Sequence, residues 1–363
     1  MSILIFFVIL FVLIIVHEFG HFFSAKRFGI RVDEFGFGFP PKLFKIKKGE
    51  TEYSFNALPF GGFVKIYGED PNEENTSGPD KDRSLVNKPK WKQAIVLFAG
   101  VFANFLLAWL LFSISFMSGL PMSAGSGIQT ESLKDLHLSV VEILKDSSAE
   151  KAGLKTGDGI ISVKTVSDTL TEINPETLKS FVNSHQNDEI EIGYIREKGE
   201  VQYLKVKPTL IEDTPMLGIA MDMVGIAKLP IFTAFWEGLR LTLFAITGIA
   251  KGLYTLISEA IMGKGSFASV TGPVGLVSIV GTAYKFGFAY LLSFTALISI
   301  NLAVLNLLPF PALDGGRLFF LLIEKVKGSR INPKFANAAN MIGFALLIIL
   351  MLAVTYHDIV KLL

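Results

Sequence analysis

Residues 2–23 read SILIFFVILFVLIIVHEFGHFF, an apolar run that closes on His17-Glu18-Phe19-Gly20-His21. About 20 apolar residues cross roughly 30 Å of hydrocarbon as a helix, so this stretch predicts a membrane span. Charged and imidazole side chains inside a span are expensive and mark functional sites. Two histidines four apart fall on one helical face, about 40° apart and roughly 6 Å along the axis. Both rings can therefore reach one metal ion, with Glu18 beside them to take a proton from water. The five-residue pattern recurs by chance in unrelated proteins, and its place inside an apolar span is what gives it weight. The alternative has His17 and Glu18 only pairing with another helix. With no basic leader and no small-residue cleavage site, the run is expected to be a retained helix rather than a signal peptide.

Half of the residues are apolar and the formal net charge is +1. Nothing in that balance points to a nucleic-acid partner. The absence of cysteine excludes disulfides, thiolate zinc sites and cysteine nucleophiles. A transition metal must then be held by histidine or carboxylate, and there are five histidines to consider: His17, His21, His137, His185 and His357.

Four runs predict spans: residues 2–23, 94–117, 286–308 and 338–356. A fifth apolar stretch, 232–262, carries Glu237, Arg240, Lys251 and Glu259, and is expected to lie on the membrane surface as an amphipathic helix. Basic residues cluster from Lys26 to Lys92 and again at Arg317, Lys325, Lys327, Arg330 and Lys334. Both segments should be cytoplasmic. A crossing at 232–262 would send the second of them outside, which is why that stretch is read as non-crossing. The expected organisation is residues 1–125 with two spans, a compact unit at 126–223, the surface helix and a loop at 224–284, and two spans at 285–363.

Residues 30–67 are broken by Gly36, Gly38, Pro40, Pro41, Gly49, Pro59, Gly61 and Gly62. They predict short strands beside the membrane rather than helix, either a small cytoplasmic hairpin or a sheet that pairs with a guest peptide. Residues 69–90 are polar and predict a mobile loop. Within 126–223, strands are expected at 138–144, 160–164, 190–196 and 201–207. Short helices are expected at 147–154 and after the Asn174-Pro175 cap.

Catalytic zinc takes three protein ligands and leaves one position for water. His137 and His185 lie in the compact unit and His357 at the outer end of the last span, so the third ligand should be a carboxylate on the inner side. Asp314 fits, in Asn306-Leu307-Leu308-Pro309-Phe310-Pro311-Ala312-Leu313-Asp314-Gly315-Gly316. The prolines end the helix and leave an extended stretch. Asp314 could instead cap the next helix, and Glu324 is the alternative ligand. Asn301 and Asn306 in the third span either bond between helices or, for Asn306, hold a substrate carbonyl. Asn104 is expected to pack against a neighbouring helix beside Gly100 and Ala103.

H-E-F-G-H in the first span, N-L-L-P-F-P-A-L-D-G-G after the third and A-G-L-K-x-G-D in the compact unit together resemble the site-2 protease family. The regulator-of-sigma-E group is the nearest pattern. G-F-G-F-P-P at 36–41, L-P-F-G-G-F-V-K at 58–65 and T-G-P-V-G at 271–275 extend the likeness over nearly the whole chain. The resemblance implies a polytopic α-helical bacterial inner-membrane protein with about four spans. It also implies a membrane-associated β-region and an inserted, circularly permuted PDZ domain on the outer face. His17, His21 and Asp314 would bind Zn2+, with Glu18 as general base on the cytoplasmic side. The substrates would be single-span membrane proteins cut within the bilayer, held by Asn306, Asn301, Gly61, Gly62 and Phe63. Leu217, Gly218 and Ile219 would line a PDZ groove for a peptide C-terminus, or the unit would serve only as a spacer. One PDZ-sized unit stands where the group often has two, and A-G-V-F-A-N lacks the family's proline, so a straighter second span is expected. The rival reading is an inactive relative that binds metal and holds membrane peptides without cutting them.

Overall fold

The structure is a computed structural model and describes residues 1–126, 133–196, 199–211, 214–263 and 271–362. It divides into two units, Met1–Ile114 with Ala234–Leu363, and Ser115–Thr233.

The first unit opens with α1 (Ser2–Arg27), which ends on Lys26 and Arg27, basic residues that favour a helix C-terminus. Its buried positions include Ile9, Leu13, His17, His21 and Ala25, one every four residues and so one stripe. The histidines thus continue the face that packs the helix. Strands β1 (Val32–Lys48) and β2 (Thr51–Ile66) follow. Residues 32–37 pair with 62–66 on one side and with 52–55 on the other, while 42–48 pair with 51–56. Each long strand therefore folds through two rows, giving four segments in the order 62–66, 32–37, 52–55 and 42–48, in which 32–37 and 52–55 rise together and the two outer pairings are antiparallel. Ala25, Ile30, Val32, Val64, Ile66, Leu85 and Val96 form the core under the C-terminal end of α1.

The expected mobile loop is folded. Its helix α2 (Glu73–Ser77) has a capping box from Asn72 and Asn75. Arg31 reaches Asp80 at 2.7 Å and Arg83 reaches Glu50 at 2.6 Å, so the polar residues are partners rather than solvated chain. Helix α3 (Lys90–Ser118) is one continuous helix. A Cβ at Gly20 would meet the Ala99 carbonyl, and one at Gly100 would meet the His21 ring. Small residues are what let α1 and α3 approach so closely.

The second unit carries β3 (Leu120–Ser123), β4 (Leu133–Ile143), α4 (Ser148–Ala152), β5 (Gly159–Lys164), α5 (Pro175–Ser184), β6 (Ile190–Ile195), β7 (Val201–Val206), β8 (Thr209–Ile211), β9 (Thr214–Met216) and β10 (Ile219–Ala227). Asn174 caps α5 and Pro175 opens it, as the sequence predicts. The main sheet is antiparallel in the order β3-β10-β4-β5-β6-β7. Its core includes Leu138, Val140, Ile160, Val163, Leu178, Ile190, Ile192 and Leu217. Inside it, the buried Asp158 carboxylate accepts from Arg196 at 2.7 Å.

The first unit resumes with α6 (Ile231–Ile261), α7 (Pro273–Lys285), α8 (Phe288–Asn306), α9 (Asp314–Lys327) and α10 (Pro333–Leu362). Five helices, α1, α3, α6, α8 and α10, are long and apolar enough to cross a membrane. The stretch expected on the surface is one continuous helix of 31 residues. Ala234, Gly238 and Thr242 form its buried stripe, and a Cβ at Gly238 would meet Ser113 of α3. The N-terminus of α7 is capped from another helix: Asp358 of α10 accepts from the backbone N–H of Gly272 at 3.1 Å and of Gly275 at 2.8 Å.

Candidate active site

His17 and His21 project from α1 toward the link between α8 and α9. That link follows the sequence logic. α8 stops at Asn306, Pro309 and Pro311 hold the chain off the helical path, and α9 restarts at Asp314. Cβ atoms at Gly315 and Gly316 would meet the carbonyls of Leu307, Leu308 and Phe310, so only glycine lets α9 begin this close to the end of α8. Asp314 does not cap α9. Its carboxylate turns inward, with Oδ2 3.1 Å from His17 Nε2 and 3.2 Å from His21 Nε2. The two Nε2 atoms are 3.3 Å apart, closing a nearly equilateral triangle.

Ligands about 2.0–2.1 Å from a tetrahedral zinc stand about 3.3 Å from one another, so the donor set fits that ion. All three atoms lie within 4.8 Å of one another. His21 Nδ1 lies 2.8 Å from the Val96 carbonyl, and a proton donated there leaves the Nε2 lone pair facing the centre of the triangle. His17 Nδ1 lies 3.2 Å from the Asn104 side-chain amide. Burial pushes the Asp314 carboxyl up, but the imidazoles of His17 and His21 beside it outweigh that and hold it below the usual carboxylate range. It is thus ionised, as a ligand must be.

Glu18 sits between its two histidines in sequence and faces the β-region. A Cβ placed on Gly62 would lie 3.3 Å from Glu18 Cγ and 2.7 Å from Ile14 Cγ2. The glycine keeps the edge segment 62–66 against the carboxylate. Gly61 beside it has φ +104°, a backbone conformation that favours glycine, and Phe63 lies over Gly36. Asn306 Nδ2 is 3.5 Å from His17 Nε2.

Other expectations fall elsewhere. Asn301 is exposed on α8, about 140° around the helix from Asn306. Glu324 is tied to Lys90 and is not drawn to the histidines. His137 and His185 lie in the second unit, on β4 and at the end of α5, and His357 lies in α10. Asn104 does more than pack against a neighbour, since its amide meets His17. The hint was available, since a polar side chain in a span marks function by default. The Val96 contact is made by backbone and has no signature in sequence. Leu217, Gly218 and Ile219 line a cavity of ≈ 240 Å³ with Leu144, Leu178 and Val182.

The model of peptidase family M50 matches residues 5–350. A relative from Clostridium acetobutylicum is 33% identical over 96% of this chain and 94% of its own length. Zinc metalloprotease RasP of Shouchella clausii is 30% identical over 99% of each chain. The RasP of Geobacillus kaustophilus is 29% identical over 99% of this chain and 98% of its own. With several apolar helices and a three-donor cluster at the end of one of them, the chain belongs to peptidase family M50, the site-2 protease family, and is a membrane zinc metalloprotease.

Proposed function

We propose that the chain hydrolyses peptide bonds within the transmembrane segments of single-span membrane proteins, with zinc held by His17, His21 and Asp314. The observation that carries this reading is the His17–His21–Asp314 triangle at the end of an apolar helix, with Glu18 and a strand edge beside it. Bound zinc supplies Lewis acidity and lowers the pKa of its water toward about 7. Glu18 takes the proton from the attacking water and passes it to the leaving nitrogen. Asn306, next to His17, is placed to donate its amide N–H to the carbonyl oxygen as charge develops there.

A transmembrane helix hides its peptide bonds in its own hydrogen bonds and must unwind to be cut. Segment 62–66 pairs on one side with 32–37, and among the described residues its other edge is open for an added strand, the mode by which sheets bind extended peptides. Gly62 brings that strand against Glu18. The second unit is a circularly permuted PDZ domain. Its last strand, β10, inserts between β3 and β4, and β3 covers only residues 224–227 of it. Among the described residues, 219–222 keep an open edge beside α5, where a peptide C-terminus would lie.

The same contacts support the orientation that the basic residues suggest. Asn306 and Asp314 meet the inner end of α1, so α8 runs in the same direction as α1, and α3 runs opposite. α6 and α7 then start and finish on the outer side. Gly281 of α7 lies against Ser2 at the outer end of α1. Four helices cross, α1, α3, α8 and α10. α6 packs along α3 from the outer side and does not cross, because the 13 residues of α7, which begins on the outer side, are too few to bring the chain back. The active site faces the cytoplasm and the PDZ domain lies outside the inner membrane.

Reconstituted native protein should cut a single-span substrate, whereas Glu18→Gln should keep its zinc and lose cleavage by at least 100-fold, the lower range for a lost general base. Zinc-loaded native protein that leaves several trimmed substrates intact would overturn the reading.

A further inference from the structure

One stripe of α3 faces both histidines. Val96, Gly100 and Asn104 recur every four residues. The Val96 carbonyl lies 2.8 Å from His21 Nδ1, Gly100 leaves space for the His21 ring, and the Asn104 amide lies 3.2 Å from His17 Nδ1. Val96 and Asn104 are both 0% exposed. Asn104 is held from behind as well, because its backbone carbonyl accepts from Ser299 Oγ of α8 at 2.9 Å.

The amide orientation carries the inference. If His17 ligates through Nε2, its Nδ1 bears the proton and must donate. The group drawn opposite it is Nδ2, also a donor, while Asn104 Oδ1 is buried without a hydrogen-bond partner. Oxygen and nitrogen of an amide are assigned from their surroundings. Turning this one by 180° gives Oδ1 a donor and Nδ1 an acceptor, with Nδ2 moving to where Oδ1 was.

Resting on the metal centre described above, we propose that Asn104 is the positioning residue for His17: Oδ1 accepts the Nδ1 proton and fixes the ring so that Nε2 faces the zinc. α3 then orients both imidazoles, one through a backbone carbonyl and one through a side chain, without contacting the metal. Such partners of ligating histidines are worth about 10–100-fold in metal affinity.

The test measures zinc affinity of the full-length protein in detergent by competition with a chelator. Native protein is compared with Asn104→Leu, Asn104→Asp and His17→Ala. Asn104→Leu, similar in volume but without an acceptor, should bind zinc roughly 10–100-fold more weakly. Asn104→Asp, which keeps an acceptor, should stay near the native value. Native affinity in Asn104→Leu, or equal losses in both variants, would overturn the assignment. Should Asn104→Leu not fold, Asn104→Asp decides alone: retained zinc supports the assignment and lost zinc overturns it. Unchanged affinity in His17→Ala would sink the metal centre itself, and Asn104's role with it, an outcome distinct from failure at Asn104 alone.

Discussion

Asp314 Oδ2 lies 3.2 Å from His21 Nε2 across 293 positions of sequence. The C-terminal half of α1 and the start of α9 thus share one small space, which folding alone must assemble. Asp314→Ala removes one of three donors and should lower zinc affinity by at least 100-fold, our order-of-magnitude expectation for losing a ligand outright when an outer partner alone is worth 10–100-fold. Metal content after dialysis checks it; a stoichiometric zinc in Asp314→Ala would mean that another group completes the site.

Gly100 is predicted to be intolerant of the smallest change. A Cβ there would meet His21 Nε2, Cδ2 and Cε1, so Gly100→Ala must displace either the ring or the helix. Overpacking of this kind costs about 1–3 kcal/mol. Thermal melting and chelator competition should both show a loss, and unchanged values in both would contradict the close crossing of α1 and α3.

Gly62→Val separates substrate binding from metal binding. Its side chain would enter the space of Ile14 and Glu18 and push the edge segment away. Cleavage should fall at least tenfold, while zinc content stays native because no ligand touches residue 62. Loss of zinc in this variant would place the β-region in the metal site rather than beside it.

Asp358→Ala should destabilise the outer half of the membrane unit. It leaves the N–H groups of Gly272 and Gly275 without their acceptor, at a cost of about 1–3 kcal/mol each for a buried donor. A lowered melting temperature with unchanged zinc affinity is expected. A native melting temperature would show that the cap contributes little.

Sequence singled out His17, Glu18, His21 and Asp314 because the chemistry restricts residue types and polar groups in apolar runs stand out, and His17, His21 and Asp314 do come together. The helices were legible for the same reason, since residues that must face lipid are uniform. The four-row folding of β1 and β2 was not, because residues 32–37 find partners both 52–55 and 62–66, and no local pattern specifies two nonlocal registers. Asn104 was visible as a polar residue but its partner was not, since the close approach of α1 and α3 depends on glycine gaps at Gly20 and Gly100 that no local pattern links. Residues 69–90 looked mobile because their polar side chains read as solvated. Arg31, Asp80, Glu50 and Arg83 are in fact each other's partners.

The central claim is proteolysis inside the membrane at Glu18 and its zinc. The most direct measurement is the position of the cut in a reconstituted single-span substrate, read by mass spectrometry for native protein and for Glu18→Gln. A scissile bond within the apolar segment, present with native protein and absent with Glu18→Gln, is the predicted result. A cut confined to the polar flanks, or one that persists in Glu18→Gln, would contradict the account.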